Sequence, residues 1–133
     1  MSAHRALLPP GWPRPRGYAN GMTATGRLVV TGGLIGWDAE ERFPGPDLVS
    51  QFRQLIENMI LVLREGGAGP EHLVRMTWYV VDIQEYRSNL PAIGAHYRAV
   101  IGRNFPAMAV MQVGALVEPA ARIEIEAMAV IPE

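Results

Sequence analysis

Two carboxylates near the end of the sequence have the spacing of groups that share one face of a β-strand. In the segment "RIEIEA", Glu124 and Glu126 follow Arg122 at a period of two, which places the three charged side chains on one face. The alternate positions suit a face packed by helices: Ile123, Ile125, Ala127 and Ala129. A carboxylate on the opposite, covered side costs roughly several kcal/mol without a partner or water. Each glutamate therefore either forms an ion pair with Arg122 or a neighbouring subunit, or lines a pocket where it positions water or moves a proton.

Other residue types argue against metal, phosphate and nucleophile chemistry. The glycines of "TGGLIG" lie late in an apolar strand and lead into a loop, whereas a phosphate loop needs glycines before a helix and a Lys-Ser/Thr ending. They instead predict a bulge or a close backbone approach, and at a close approach N–H and C=O groups can hold a small ligand. The serines lack a nucleophile-elbow context. The histidines lack metal-ligand spacing, so no metal site is expected from His4, His72 and His96.

The composition predicts a single domain, residues 1–133, that associates with copies of itself. The chain has 49% hydrophobic and 19% charged residues, which leaves little polar material to coat a monomer. The net charge is −1 and the basic residues are scattered, so a nucleic-acid partner is not expected. No apolar run has the length of a signal peptide or a membrane span. Because there is no Cys, a reducing compartment fits, and we expect a cytoplasmic protein without a membrane partner.

The elements that must position these residues can be read from the pattern. Residues 1–17 carry four prolines and predict an irregular arm. "YANGMTAT" and "LVVTGGLIG" predict a hairpin, whose second strand is apolar enough to be buried on both faces. Asp47 can cap a helix that begins at Leu48 and ends at Gly66. "LVRMTWYVVD" predicts a strand, and residues 84–101 a second helix that Pro91 breaks or restarts. Two strands, "AMAVMQVGAL" and "ARIEIEAMAV", complete the chain.

This order, β-β-α-β-α-β-β, predicts an α+β fold with one sheet and both helices on the same face. The opposite sheet face should then meet water. Its strands lack the strict polar alternation of a solvated antiparallel face. Covering such a face requires other subunits, and closed symmetric rings are the usual solution. The pattern therefore predicts a homo-oligomer.

Several segments together resemble the reactive intermediate deaminase (Rid, or YjgF-like) family. They are "GYANGM", "GRLVVTGGLIG", "QFRQLIENMILVLREGGAGPEHLVRMTWYVVD", "FPA" and "RIEIEAMAV", which run in the family's order over residues 17–131. The resemblance implies a chorismate-mutase-like fold and a homotrimer whose sheets form an inner barrel, with small-molecule clefts between subunits. It further implies hydrolysis of enamines and imines to 2-oxo acids and ammonia, without a metal or organic cofactor.

The resemblance assigns roles residue by residue. Tyr18 matches the tyrosine of the family's "GPYSQA" segment, which here reads "GYANGM". Gly33 lies in the segment whose backbone faces the ligand, with Leu34 where glutamine is usual. Glu124 matches the glutamate associated with positioning the hydrolytic water, which makes it the candidate catalytic residue. With Met108 and Val110 of the following strand, Tyr18, Gly33 and Leu34 form the candidate substrate-binding set.

Met108 departs from the family pattern at the position that matters most for small substrates. Active deaminases have an arginine after "FPA", and its planar fork binds the substrate carboxylate through two charge-assisted hydrogen bonds. A thioether offers apolar contact and no donor. Deamination of small 2-imino acids is therefore not expected. Arg14, Arg16 and Arg103 are the candidates for holding a more distant carboxylate.

Three functions follow from these observations. The first is an enamine or imine deaminase with altered specificity, acting on a larger or less acidic substrate such as an aminomuconate-like compound. The second is a noncatalytic small-molecule-binding or regulatory trimer. The third, a ribonuclease or translation inhibitor, is disfavoured because the sequence has no basic stripe.

Overall fold

The computed structural model describes residues 2–133. Two short strands pair near the start of the chain, and the remaining strands form one sheet next to three helices. The elements in chain order are β1 (Arg5–Ala6), β2 (Met22–Thr23), β3 (Arg27–Val30), β4 (Leu34–Ile35), α1 (Leu48–Glu65), β5 (Leu73–Val80), α2 (Ile83–Ser88), α3 (Leu90–Val100), β6 (Ala107–Gln112) and β7 (Ile123–Ile131).

The main sheet has the strand order β3-β7-β5-β6, and β4 pairs with an earlier part of β7. Only the β5–β6 pair is parallel among the pairs of this sheet. A parallel pair needs a long crossover connection, and α2 and α3 provide it. The predicted α+β class, with one sheet and helices on one face, is confirmed.

The helices pack on the face of β7 that was predicted for them. Ile123, Ile125, Ala127 and Ala129 are buried in one cluster with the apolar face of α1. The Asp47 side chain accepts a hydrogen bond from the Ser50 backbone N–H at 2.9 Å, which caps the helix start. The helix ends at Gly66, as expected. Local signals thus predicted α1 correctly at both ends.

The second helical region is divided. The break predicted at Pro91 lies at Asn89, which ends α2 and precedes α3. Pro91 is the second residue of α3, where its missing N–H interrupts no helical hydrogen bond. Proline therefore restarts this helix rather than ending it.

The predicted hairpin is wrong. Met22 and Thr23 of β2 pair with β1, while β3 pairs with β7. The long strand β7, with nine residues, offers β3 a partner that the two-residue β2 cannot match. The expectation of an entirely irregular arm is also wrong at Arg5–Ala6, because those residues form the strand next to β2.

The sheet face opposite the helices is open in the single chain. Leu28 and Val30 of β3 are 60% and 55% exposed, and Met128 of β7 and Met111 of β6 are exposed beside the same face. The expectation that β3 is buried on both faces is therefore wrong for one chain. Covering by other subunits remains a prediction. No helix within residues 2–133 has the length and apolarity needed to cross a membrane.

Candidate functional site

Glu124, Gly33 and Leu34 lie together beside the β4–β7 pairing. Leu34 pairs with Ile125, and Ile35 pairs with Glu124. All three predicted residues line a depression of about 260 Å³. A Cβ atom on Gly33 would overlap the Glu124 carboxylate, so glycine is the residue that admits this carboxylate beside the backbone of residue 33. At Gly33 the group that approaches the backbone is the side chain of Glu124, and binding of a small ligand by this backbone stays a prediction.

Helix α1 fixes the backbone that borders this depression. The Asn58 side chain donates hydrogen bonds to the carbonyl oxygens of Ile35 at 3.3 Å and Trp37 at 2.7 Å. Gln54 in turn donates to the Asn58 side-chain oxygen at 2.9 Å. Asn58 and Trp37 both line the depression. The loop next to Glu124 is thus tied to a helix whose opposite side is buried in the core.

Arg122 does not pair with either glutamate of its own strand, contrary to the ion-pair interpretation. It donates from Nη2 and Nε to Glu85 Oε1 at 2.7 and 3.1 Å, and it lies 3.8 Å from Asp82. The other Glu85 oxygen accepts the backbone N–H of Leu48 at 2.9 Å. Arg122 therefore links α2 to the start of α1. It precedes Ile123, the first residue of β7, so its side chain need not lie on the same strand face as Glu124 and Glu126.

Glu126 and Glu124 are held differently. The Tyr79 hydroxyl donates to Glu126 Oε1 at 2.6 Å, and this hydrogen bond is the main reason that the pKa of Tyr79 is raised. Glu124 forms no ion pair within 4.0 Å with any residue that the structure describes. Of the two carboxylates, Glu124 is the one without a fixed protein partner, which leaves it able to orient water or accept a proton.

Tyr18, Met108 and Val110 lie together in a second, larger cavity. It has a volume of about 550 Å³ and is lined in addition by Trp78. The arm is brought to β6 by a hydrogen bond from the Ala19 N–H to the Pro106 carbonyl oxygen at 3.0 Å. Tyr18, 43% exposed, is thereby held at the mouth of the cavity.

The two groups of predicted residues lie on opposite faces of the sheet. Val110 is in register with Trp78, and Trp78 is in register with Ile125, which is buried in the core cluster with the helix α1. Glu124 is in register with Tyr79 and points to the other face. One chain therefore brings Tyr18 to Met108, and Gly33 to Glu124, but does not join the two groups.

The large cavity contains residues that the sequence reasoning did not select. Its aromatic wall includes Tyr97 stacked on Phe105, with ring centroids 5.6 Å apart. Arg98 of α3 lines the cavity together with Arg16, whereas Arg14 and Arg103 do not. The only available sequence signal for Arg98 is its position directly after the buried Tyr97, on a helix predicted to pack against the sheet.

Metal-ligating side chains do not cluster in the part of the chain that the structure describes: it holds no group of three or more His, Asp or Glu residues able to bind an ion. The two cavities differ in chemistry. The depression at Glu124 contains carboxylates, Glu124 and Glu118. The lining of the large cavity includes arginines and no Asp or Glu. The arrangement can therefore supply a carboxylate base at one place and an anion-binding, aromatic cavity at another.

Comparison with known proteins gives consistent matches over most of the chain. The family model described as Endoribonuclease L-PSP matches residues 13–131. The human 2-iminobutanoate/2-iminopropanoate deaminase is 30% identical over 105 residues, which cover 78% of this chain and 73% of the human protein. The Salmonella typhimurium protein of the same name is 30% identical over 116 residues, covering 85% of this chain and 86% of that protein.

Solved structures show the same architecture. The crystal structure of YyfB from Yersinia pestis, described as a protein of unknown function of the conserved Rid family, is 33% identical. It superimposes with a TM-score of 0.81 over 96% of this chain and 98% of the Yersinia chain.

Proposed function

The chain belongs to the Endoribonuclease L-PSP family, which is the Rid or YjgF family, and from this premise we propose that it hydrolyses enamines or imines to a carbonyl compound and ammonia. The proposal includes an altered substrate specificity and no metal or organic cofactor. The observation that carries it is the Glu124 carboxylate, which lies against Gly33 without an ion pair among the described residues.

The reaction needs both groups of site residues, so we place it between subunits. Tyr18 and Met108 of one chain would face Gly33 and Glu124 of a neighbouring chain in a homotrimer. Two observations support this arrangement. The open face of the sheet exposes apolar side chains such as Leu28 and Val30, and each half of the site is open to solvent in the single chain.

Glu124 has one role in the proposed reaction. Its carboxylate accepts a proton from water as the water oxygen bonds to the C=N carbon, and it donates that proton to the imine nitrogen, which gives a neutral carbinolamine. Through the same carboxylate, the hydroxyl proton of the carbinolamine moves to the amino nitrogen as the C–N bond breaks and the C=O bond forms, which releases ammonia. Overall, one imine and one water give one carbonyl compound and one ammonia. Tyr18 and the Gly33 backbone form walls that hold the substrate next to this carboxylate.

Met108 sets the altered specificity. Its side chain lines the large cavity and is half-buried against the core. A carboxylate placed directly beside it would lose water without gaining a donor. We therefore propose a substrate that is larger or less acidic than a three-carbon imino acid. A second candidate function is the binding of a small molecule without catalysis. It is favoured because the cavity that Met108 lines is present, while Met108 itself offers no donor to orient a carboxylate substrate.

Ribonuclease activity is not proposed, although the family description contains that word. The net charge is −1, and a surface that neutralises several phosphates requires clustered basic residues.

The test is the Glu124→Gln variant, assayed on imines generated in situ by amino-acid and amine oxidases. The measurement is the rate of imine loss above spontaneous hydrolysis, with the remaining imine trapped as a semicarbazone. We expect wild-type acceleration of at least one bulky imine and roughly a hundredfold or greater loss in the variant. Glu126→Gln is the matched control, since the Glu126 carboxylate accepts a hydrogen bond from the Tyr79 hydroxyl and has no role in the proposed reaction. Wild type without acceleration on any imine would favour the binding function, and an active Glu124→Gln would exclude Glu124 as the base.

A further inference from the structure

The large cavity has the size of a site for a ligand much bigger than a three-carbon imino acid. Its volume is about 550 Å³, within the range of roughly 300–1,000 Å³ that is typical for sites binding drug-sized molecules. A three-carbon acid would leave most of this space to water. The size therefore indicates a ligand with a bulky body.

The walls indicate that this body is flat and aromatic or conjugated. Tyr97 and Phe105 are nearly parallel, with 5° between their ring planes. Trp78 and Tyr86 meet edge to face, 88° apart, at a centroid distance of 6.3 Å. Aromatic side chains favour stacked and edge-to-face contacts with further rings. All of these side chains line the cavity, but Trp78 and Tyr97 are only 2% and 5% exposed. The rings that a planar ligand can reach are therefore the half-buried Phe105 and Tyr86.

The charge of the lining indicates that the ligand is an anion. Arg16 of the arm and Arg98 of α3 line the cavity, and no Asp or Glu does. Neither arginine has a carboxylate within 4.0 Å among residues 2–133. The Arg98 guanidinium lies over Gly94, since a Cβ there would be 3.3 Å from Nη1. Unpaired guanidinium groups bind a carboxylate through two parallel hydrogen bonds.

A buried donor in the wall has no acceptor. Trp78 is 2% exposed, and its indole N–H has no hydrogen-bond partner among the described residues. Buried polar groups are rarely left unpaired. The indole nitrogen is enclosed within the wall, so the charged groups available to bind an anion in this cavity are the two arginines.

We infer that the carboxylate anchor of this protein lies on α3, at Arg98 with Arg16, and that its substrate class is planar aromatic or conjugated carboxylic acids. In such an acid the carboxylate is separated from the reacting carbon by the planar body, which lies against Phe105 and Tyr86. Met108 then contacts the apolar body instead of the acid group. The position of the reacting carbon at the far end rests on the proposed function, whereas the anchor does not.

The test uses 4-acetylbenzoate, in which a ring separates the carboxylate from a ketone of the kind that imine hydrolysis produces. Binding is measured by calorimetry with the intact protein. The neutral 4-acetylbenzamide and pyruvate are the comparison ligands. We expect 4-acetylbenzoate to bind, the amide to bind about tenfold or more weakly, and pyruvate to bind no better than the amide.

Matched variants separate the anchor from general electrostatics. Arg98→Gln should weaken 4-acetylbenzoate binding about tenfold or more and leave amide binding unchanged, and Arg16→Gln should act in the same direction. Arg103→Gln is the control, because Arg103 is exposed like Arg16 and Arg98 but does not line the cavity. Equal affinity for acid and amide, no binding of the acid, or full affinity in Arg98→Gln would overturn the inference. These measurements report binding and not turnover. If the protein proves not to be a deaminase, the expected affinities stay the same.

Discussion

Met108→Arg tests the prediction that a guanidinium at this position would allow the protein to act on small imino acids. Met108 lies in β6 beside Met76, half-buried and packed against the core. An arginine here would place its fork in the cavity that Tyr18 borders. We expect the variant to bind pyruvate, which wild type should not, and to accelerate hydrolysis of 2-aminoacrylate-derived imines.

The size of the gain follows from what the new side chain can donate. Two charge-assisted hydrogen bonds of about 1.5–3 kcal/mol each give at least about 3 kcal/mol, or roughly a hundredfold. Repulsion between cations affects this gain, because Arg16 and Arg98 line the same cavity without a carboxylate and a third cation is repelled in the free protein. Separately, the apolar contacts of Met108 with the core are lost, for which we expect the free energy of unfolding to fall by roughly 1–3 kcal/mol.

The assay compares three substitutions in the folded protein. Pyruvate binding is measured by calorimetry, and imine loss by semicarbazide trapping. Met108→Lys adds the charge without the fork and should gain much less than Met108→Arg, while Met108→Leu keeps an apolar contact and should gain nothing. Equal gains for lysine and arginine would show that charge alone matters. Rapid wild-type turnover of 2-aminoacrylate-derived imines would refute the reasoning, since another residue would then already hold their carboxylate.

Two further predictions concern folding and assembly. The pKa of Asp47 is lowered mainly by a hydrogen bond from the Ser50 backbone N–H and, to a smaller extent, by one from the Ser50 hydroxyl. Because Asp47→Ala removes this helix cap, it should lower the free energy of unfolding at pH 7 by about 1 kcal/mol, or the Tm by roughly 3 °C. Because the folded pKa is depressed, this stabilisation is present above the ordinary pKa near 3.8 and is lost as the pH falls through the folded value, whereas Asp47→Asn should keep the cap and flatten that dependence. Light scattering should show a trimer at micromolar concentration. A stable monomer at that concentration would contradict the proposal that the site lies between subunits.

The parts of the fold that the sequence predicts are those set by neighbouring residues. Helix α1 has a capping aspartate, a regular apolar face and a terminal glycine within one continuous segment, so both ends are predicted correctly. Strand pairing depends instead on distant residues. The "YANGMTAT" segment has the composition of a hairpin strand, yet Met22 and Thr23 pair with β1. Nothing local distinguishes β1 from β3 as the partner.

The site shows the same division. A resemblance in the "IEIEA" and "FPA" segments selects Glu124 and Met108, and the structure finds each in a cavity. Arg98 is absent from that set because it lies on a helix, where surface arginines are common and carry no signal of their own. Its position over Gly94, facing an aromatic cavity, depends on how α3 packs on the sheet.

The separation of the three charged residues in "RIEIEA" leaves one carboxylate, Glu124, without a side-chain partner among the described residues. Period-two spacing alone would let Arg122 neutralise Glu124, and a paired guanidinium lowers the pKa of a carboxylate and its ability to accept a proton. In the structure, Arg122 forms an ion pair with Glu85, and the Tyr79 hydroxyl donates a hydrogen bond to Glu126. Glu124 is left with the space that Gly33 provides, where a side chain would otherwise overlap its carboxylate. The proposed role of Glu124 as a base requires an unpaired carboxylate, and the partners of its neighbours leave it unpaired among the described residues, while Gly33 leaves room for it beside the backbone.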